Sequence, residues 1–219
     1  TESFEGSIEI EVISSSNLVI PYCAVTAIYQ NKNSELSMFS FFCHNMNVLN
    51  NIGVDLSGKN ALCRLNSISL LRQTSEVKHN IKIWHNSPNC TSEQLYKGVY
   101  ADTSKGGFDS VVVVEKDSQK TVAKQNNNNI LLSELANIQS NPQLEIFADD
   151  VECAHGSTIG QISEEELFYL RSRGIGLDVA RKLLTSAFLN EVIAKIDHKE
   201  IADEVGVILN RQMEGLYLQ

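Results

Sequence analysis

Cys153 and His155 are separated by one residue, and both side chains are ligands for iron or zinc. The sequence around them, residues 144–156, is strand-like, and in an extended chain residues i and i+2 project from the same face. A thiolate and an imidazole on one face can bind a metal together, but a closed site needs about four ligands. The pattern therefore predicts half of a metal site. The alternatives are a packed cysteine and a histidine that makes only ordinary hydrogen bonds.

Two groups of carboxylates have simpler explanations than acid–base chemistry. Glu164, Glu165 and Glu166 occupy a predicted helix N-terminus, where the helix dipole stabilises negative charge. The pair Asp149 and Asp150 is expected to end a strand or to face water. The chain also has no glycine-rich phosphate loop followed by Lys and Ser or Thr, so any ATP hydrolysis must belong to another protein. We expect a protein that is not an enzyme.

Composition disfavours two classes of partner. The 219 residues include 18 Lys and Arg against 27 Asp and Glu, a net charge of −9, and nucleic-acid affinity depends on clustered positive charge. The segment Gly174-Ile175-Gly176 resembles the turn of a helix-hairpin-helix DNA-binding motif, a weak alternative because Asp178 falls in the would-be phosphate turn. No apolar run approaches the roughly 18 to 20 residues that cross a bilayer. We expect neither nucleic acid nor membrane as a partner.

The five cysteines indicate the compartment. They lie at 23, 43, 63, 90 and 153, an odd number without a paired framework, which favours a reducing environment and a cytoplasmic location. The first three are spaced by twenty residues, a period that one turn of a β-solenoid could produce, although coincidence among ordinary buried cysteines is the favoured explanation. The chain lacks an initiator Met, so it could be a fragment.

Residues 7–160 read as a series of short strands. Runs rich in β-branched residues are broken by Gly, Asn, Ser and Asp, and there are too few Asn-Gly or Asp-Gly turns for a stack of tight hairpins. A coiled or solenoid sheet fits this pattern, with the asparagines at 126–129 in a turn. The predicted strands are residues 8–12, 25–29, 36–42, 48–56, 68–71, 77–83, 111–114, 130–132 and 144–147.

The apolar period changes to 3.6 after Gly160. Ser163 and Glu166 form a capping box that opens a helix ending near Gly174, and Asp178 is a candidate cap for a second helix. A third helix is predicted from about Lys199 to Gln212. We therefore predict a β domain over residues 1–161 and a small helical domain over residues 162–219.

Two runs of sequence resemble a known family. They are PQLEIFADDVECAHGSTIGQ at 142–161 and ELFYLRSRGI at 166–175, preceded by similar residues at 119–121 and 125–133. These runs resemble the SufD family, scaffold subunits of the SUF iron–sulfur cluster assembly system, and the similarity covers roughly residues 105–200. The resemblance implies a mainly β fold, namely a right-handed parallel β-helix followed by a small C-terminal α-helical domain.

The resemblance also implies partners and a role for the half-site. SufD-like proteins pair with a SufB-like subunit through the β-helix and bind a SufC-like ABC ATPase through the C-terminal helices. His155 matches the family histidine at the SufB–SufD interface, where a transient iron–sulfur cluster is shared with SufB and none is tightly bound by the isolated chain. Cys153 is a second candidate ligand. For the ATPase contact we expect residues 166–188 to contribute, through Leu170, Ile175 and Phe188.

This sequence also departs from the family pattern. The additional cysteines and basic residues of SufB-like chains, proposed to move sulfur, have no convincing counterpart here, which favours the accessory role of SufD. The helices that precede the β-helix in the family are not seen in this sequence. Without SufB, the exposed end of the solenoid is expected to pair with itself in a homodimer. A second reading keeps the fold and makes the chain a protein-interaction module with no metal role.

Overall fold

The computed structural model describes residues 21–43 and 46–217. They form ten strands followed by three helices. The strands are β1 (Pro21–Gln30), β2 (Glu35–Cys43), β3 (Asn47–Leu56), β4 (Leu62–Leu71), β5 (Glu76–His85), β6 (Thr91–Tyr100), β7 (Lys105–Val114), β8 (Thr121–Leu131), β9 (Asn137–Ile146) and β10 (Val151–Gly160). The helices are α1 (Glu164–Ser172), α2 (Leu177–Ile193) and α3 (Lys199–Tyr217).

The strands wind into a parallel β-solenoid of about five turns. Odd-numbered strands form one sheet in the order β1-β3-β5-β7-β9, which we call sheet A, and even-numbered strands form a second, sheet B, in the order β2-β4-β6-β8-β10. All strand pairs among the described residues are parallel. Each turn therefore supplies one strand to each sheet, and the predicted parallel solenoid with C-terminal helices is confirmed.

The twenty-residue period of the cysteines is not the repeat of this solenoid. Successive strands of sheet A begin 26 to 32 residues apart, because one turn contains two strands of about ten residues and two corners. Cys23 lies in sheet A, whereas Cys43 and Cys63 lie in sheet B opposite Leu70 and Leu36. The three thiols thus form no column, and the prediction of a shared repeat was wrong.

Asparagine residues stack at the corners rather than in the run predicted for them. Non-glycine residues with φ between 57° and 60° occupy successive corners, where the left-handed conformation turns the chain and asparagine tolerates it well. One corner bonds the next, as Asn60 Nδ2 donates to Asn33 Oδ1 over 2.8 Å. The predicted asparagine turn at 126–129 instead lies inside β8. Of the other strand predictions, residues 8–12 lie outside the described residues.

Two apolar clusters hold the layers together. Between the sheets, inward side chains form a core that includes Leu65, Ile83 and Phe108, all at most 1% exposed. On the outer face of sheet B, Leu70 and Val99 pack against residues of α2 and α3. In a core of this kind, removing one large side chain costs several kcal/mol of folding free energy. Helices α2 and α3 therefore share a core with the solenoid and pack on the outer face of sheet B.

A buried lysine joins the second helix to sheet B. Lys97 of β6 is 5% exposed, and its Nζ donates to the backbone oxygen of Phe188 over 3.0 Å and to the carboxylate of Glu191. The same ammonium lies 4.3 Å from the centroid of the Phe188 ring, within the range of a cation–π contact. The carboxylate, the carbonyl and the ring replace the water that this ammonium loses on burial.

The first helix begins and ends as its sequence predicts. Ser163 caps α1, its hydroxyl accepting a hydrogen bond from the backbone N–H of Glu166 over 3.3 Å, and Gly174 follows the helix with φ of +84°. The second helix differs: its N-cap is Gly176, and Asp178 lies in the first turn as a favourable charge rather than as the cap. The chain changes from strand to helix between Gly160 and Glu164.

Two histidines are buried inside the solenoid in the neutral form. His79 and His85 are 3% and 0% exposed, and desolvation lowers the pKa of His79 to about 3 and that of His85 to about 4. Each ring has hydroxyl or amide neighbours, including Ser92 Oγ at 2.8 Å from His85 Nε2. In the unfolded chain both rings titrate near 6.5. Folding therefore excludes two protons that the unfolded chain binds in mild acid.

We expect stability to fall as the pH drops below about 6.5. Above that value both states keep the rings neutral; below it only the unfolded state gains protons, at a cost to stability of up to ~1.4 kcal/mol per pH unit for each histidine. Urea unfolding between pH 7 and pH 5 measures this slope. His85→Gln should remove about half of it, and the control substitution of the exposed His198 by Gln should leave it unchanged. A flat profile would contradict the burial of neutral rings.

Candidate functional site

The last turn of the solenoid leaves the edges of its strands open. Strand β10 hydrogen-bonds to β8 on one side, β9 pairs with β7, and no strand among the described residues pairs with the other edge of either. Unpaired edges of this kind can take up another strand or another chain. We call the surface formed by β9 and β10 the open end.

Cys153 and His155 both lie on the inner face of β10. Cys153 packs against the core between the sheets, and two residues beyond His155 the hydroxyl of Ser157 donates across to Ser140 Oγ of β9 over 2.8 Å. Side chains alternate along a strand, so His155 shares that inner face. Cys153 is half-buried, whereas His155 is exposed. The prediction that the two residues lie in strand and share a face is confirmed.

The thiol of Cys153 is not activated by its surroundings. Desolvation raises its pKa, and a hydrogen bond with the backbone of Ala123 offsets this only in part. A metal must therefore displace the thiol proton for Cys153 to bind it. Among the described residues no group of three or more His, Cys, Asp and Glu side chains is arranged to hold a metal ion. Any metal site here depends on ligands beyond these residues.

The interior next to His155 is polar, a feature that the sequence analysis missed. Gln125 of β8 is the register partner of His155, and Asn127 accepts hydrogen bonds from Ser140 and from Asn129 at 2.7 Å each. Gln125, Asn127 and Asn129 are inward-facing and at most 4% exposed. The signal in the sequence was polar residues at alternate positions of a strand, which the asparagine run concealed.

The first two helices present an exposed apolar surface. On α1, Phe168 and Tyr169 are 75% and 58% exposed, and on α2, Val179 and Leu183 are 56% and 47% exposed. A shallow groove of about 340 Å³ runs beside them, lined by Glu165, Glu166, Tyr169, Leu170 and Leu184. We call these exposed side chains and the groove the α1–α2 face. Exposed apolar groups gathered in this way are typical of a protein-binding surface.

The three residues predicted for partner contact have different surroundings. Leu170 lines the groove of the α1–α2 face, and Ile175 is half-buried in the turn between the two helices. Phe188 is half-buried under Lys97 and packs against the cluster on sheet B. Phe168, Tyr169 and Leu183 could not be singled out from sequence, because an amphipathic pattern shows which side of a helix is apolar but not which residues the neighbouring helices leave exposed.

Comparison with known proteins identifies the class. The family described as SUF system FeS cluster assembly, SufBD core domain, matches residues 11–188. The chain is 33% identical over 165 residues to the iron–sulfur cluster assembly protein SufD of Escherichia coli, which covers 75% of this chain and 39% of that protein. It is 36% identical over 155 residues to the chloroplastic protein ABCI7 of Arabidopsis thaliana, covering 70% of this chain and 33% of that protein.

A third relative comes from a cyanobacterium. The SufBD family protein of Synechocystis is 40% identical over 125 residues, which is 57% of this chain and 27% of that protein. The match thus extends over most of this chain, while the chain spans about two fifths or less of the length of each of these three relatives. The protein is a β-solenoid of the SufBD core class, and within that class it belongs to the SufD family.

None of the helices over the described residues is long and apolar enough to cross a membrane.

All five cysteines are free thiols, with Cys63 and Cys90 buried and Cys23 exposed. Burial raises the pKa of Cys63 to about 12 and that of Cys43 to about 11. The thiols that lie deepest are thereby the least reactive.

Thiol labelling should follow this order of burial. We expect iodoacetamide at neutral pH to modify Cys23 first, Cys153 at least about tenfold more slowly, and Cys63 only on unfolding, since the thiolate is the reactive form. Peptide mass spectrometry over a time course measures the rates, and urea-unfolded protein provides the control in which they converge. Labelling of Cys153 as fast as Cys23 would contradict the half-buried thiol.

Proposed function

We propose that this chain is a non-catalytic scaffold subunit of an iron–sulfur cluster assembly complex. The observation that carries the proposal is the position of His155, an exposed imidazole on the inner face of the last strand of an open solenoid end. Membership of a family of iron–sulfur cluster assembly proteins suggests that the ligand serves such a cluster. An imidazole at such an edge offers one ligand and leaves the others to a second chain.

The open end fits a second solenoid as partner. The edges of β9 and β10 expose backbone donors and acceptors that another strand of similar length can pair. A SufB-like subunit with its own solenoid edge would continue both sheets and enclose His155. Without that subunit, the same unpaired edges of two copies of this chain can pair with each other, and we propose a homodimer for the isolated chain.

The cluster is the cargo of this complex rather than a resident group. Thiolates are the usual ligands of iron–sulfur clusters, and an imidazole can take the place of one thiolate. His155 would be one ligand, and Cys153 a second if its raised pKa is overcome on binding. A site with ligands from two chains releases its cargo when the chains move apart, which suits transfer.

The α1–α2 face fits a second partner. Its exposed aromatic and aliphatic side chains are flanked by Glu165 and Glu166, and one of its two helices, α2, packs on sheet B. A SufC-like ABC ATPase is the partner that the family context suggests, and ATP hydrolysis would belong to that partner. Lys97 connects α2 to β6, so docking at this face acts on the same sheet that contains His155.

Two other readings find less support. A helix-hairpin-helix role would need backbone N–H groups near Gly174 and Gly176 to meet phosphate, but Asp178 and the acidic first turn of α1 repel it. A plain interaction module explains the two surfaces but not the exposed histidine among buried amides. The free thiols are consistent with a reducing compartment, and we propose a cytoplasmic location.

Replacement of His155 tests the cluster site. When the chain is co-expressed with SufB-like and SufC-like partners and purified without oxygen, His155→Ala should lower the iron and acid-labile sulfide of the complex by about tenfold or more. His198→Ala is the matched control, since His198 is exposed just before α3. Cluster content that does not change in the His155 variant, with the complex intact, would favour the plain interaction module.

Charge placed on the α1–α2 face tests ATPase docking. Phe168→Asp should weaken copurification of the ATPase by about tenfold or more, because a carboxylate would be buried without a partner. The control is Val207→Asp on α3, a residue of similar exposure at 69%. Affinity measured by titration should fall for the first variant only. Equal loss for both variants, or for neither, would count against this surface.

A further inference from the structure

A single column of side chains runs through the solenoid to His155. Met38, Leu65, Gln94, Gln125 and His155 are successive register partners on the five strands of sheet B. The column is apolar in the first two turns and polar in the last three. Leu65, Gln94 and Gln125 are at most 1% exposed. Buried amides therefore replace apolar packing only towards the open end.

The amide group of Gln125 has a defined orientation. Its Nε2 donates to the hydroxyl of Ser110 on β7 over 2.9 Å and to the backbone oxygen of that residue over 3.4 Å. The hydroxyl of Ser110 in turn donates to Gln94 Oε1 over 2.8 Å. The nitrogen of Gln125 is thus held towards sheet A, which leaves its oxygen to meet other donors.

That oxygen has no hydrogen-bond partner among the described residues. Gln125 Oε1 is fully buried, and an unsatisfied acceptor of this kind is costly in a protein interior. The next side chain of the column towards the open end is that of His155, whose strand lies about 4.8 Å from β8, the usual spacing of paired strands. On the side of Gln125 away from the open end, Gln94 Nε2 is also without a hydrogen-bond partner among the described residues. A carbonyl oxygen has two lone pairs, so it can accept from both neighbours.

We propose that Gln125 is a positioning residue for His155. The bond forms when the exposed ring of His155 turns towards Oε1, which then accepts from one imidazole N–H. This fixes the ring and the tautomer and turns the lone pair of the other ring nitrogen towards the open end. Ligand histidines commonly donate their second N–H in this way, which raises their basicity as ligands. The importance of this contact for cluster binding rests on the function proposed above, whereas the contact itself does not.

Packing alone does not account for a glutamine at this position. Leu65 fills the same column two turns earlier without any polar group to satisfy. Gln125→Met keeps the length of the side chain and removes both the unsatisfied acceptor and the bonds that Nε2 donates to Ser110, while the Ser110 hydroxyl retains Gln94 as its acceptor. The midpoint of urea unfolding should therefore stay unchanged or rise. A residue retained for stability would show the opposite.

The tautomer of His155 can be measured directly by NMR. In the isolated chain with ¹⁵N-labelled histidine at pH 8, nitrogen chemical shifts report the tautomer of each ring, and His155→Gln assigns the signal. We expect one tautomer of His155 to dominate by roughly five- to tenfold in wild type, in line with one hydrogen bond. Gln125→Met should return the ratio to that of the exposed His198. Gln94→Met, one turn deeper, is the matched control and should leave the preference in place.

Gln125→Asn is a second variant, with an amide too short to reach the next strand, and it should also lose the preference. A tautomer ratio of His155 that does not change in either Gln125 variant overturns the proposal. In the assembled complex Gln125→Met should lower cluster content by about tenfold, and His155→Ala at least as much. If His155→Ala has no effect, the proposed function fails while the tautomer result still decides the contact. If only the tautomer result is negative, the function stands without Gln125.

Discussion

Backbone pairing in the two parallel sheets is the constraint on which the rest of the structure depends. Each turn satisfies the hydrogen-bonding groups of the turn before it, so the stack is stable only where another strand follows. At β9 and β10 no described strand follows, and the edges remain open. The same edges carry Cys153 and His155. One end of the solenoid with unpaired strand edges therefore also carries the candidate metal ligands.

Alternation of side chains across each strand separates two roles. Inward positions build the core and, near the open end, the polar surroundings of His155; outward positions of sheet B receive α2 and α3. Lys97 points outward from β6 and connects to α2, while Gln94 in the same strand points inward. One sheet thus has the candidate ligand on its inner face and helices α2 and α3 on its outer face.

Much of this arrangement was predictable from sequence because it depends on local patterns. Alternating β-branched residues indicated strands, and the capping box of Ser163 and Glu166 defined the first helix within a residue. Asparagines at the corners were not recognised, since a left-handed turn at a single residue leaves little trace in hydropathy. The asparagine run in β8 indicates a turn by sequence because asparagine bonds backbone groups and tolerates unusual φ, but in the structure Asn127 is satisfied within the strand by buried hydrogen bonds with Ser140 and Tyr96.

The sequence by itself determined the class of fold, the change from strand to helix near residue 161, and the shared face of Cys153 and His155, all of which follow from periodicity or from family resemblance. Only the tertiary structure decided the length of a turn, the burial of Gln125 next to His155, and which apolar residues of α1 and α2 remain exposed. The reason is that strand register and helix packing join residues about thirty or more positions apart, and such pairings are set by the closure of the whole solenoid rather than by any local pattern.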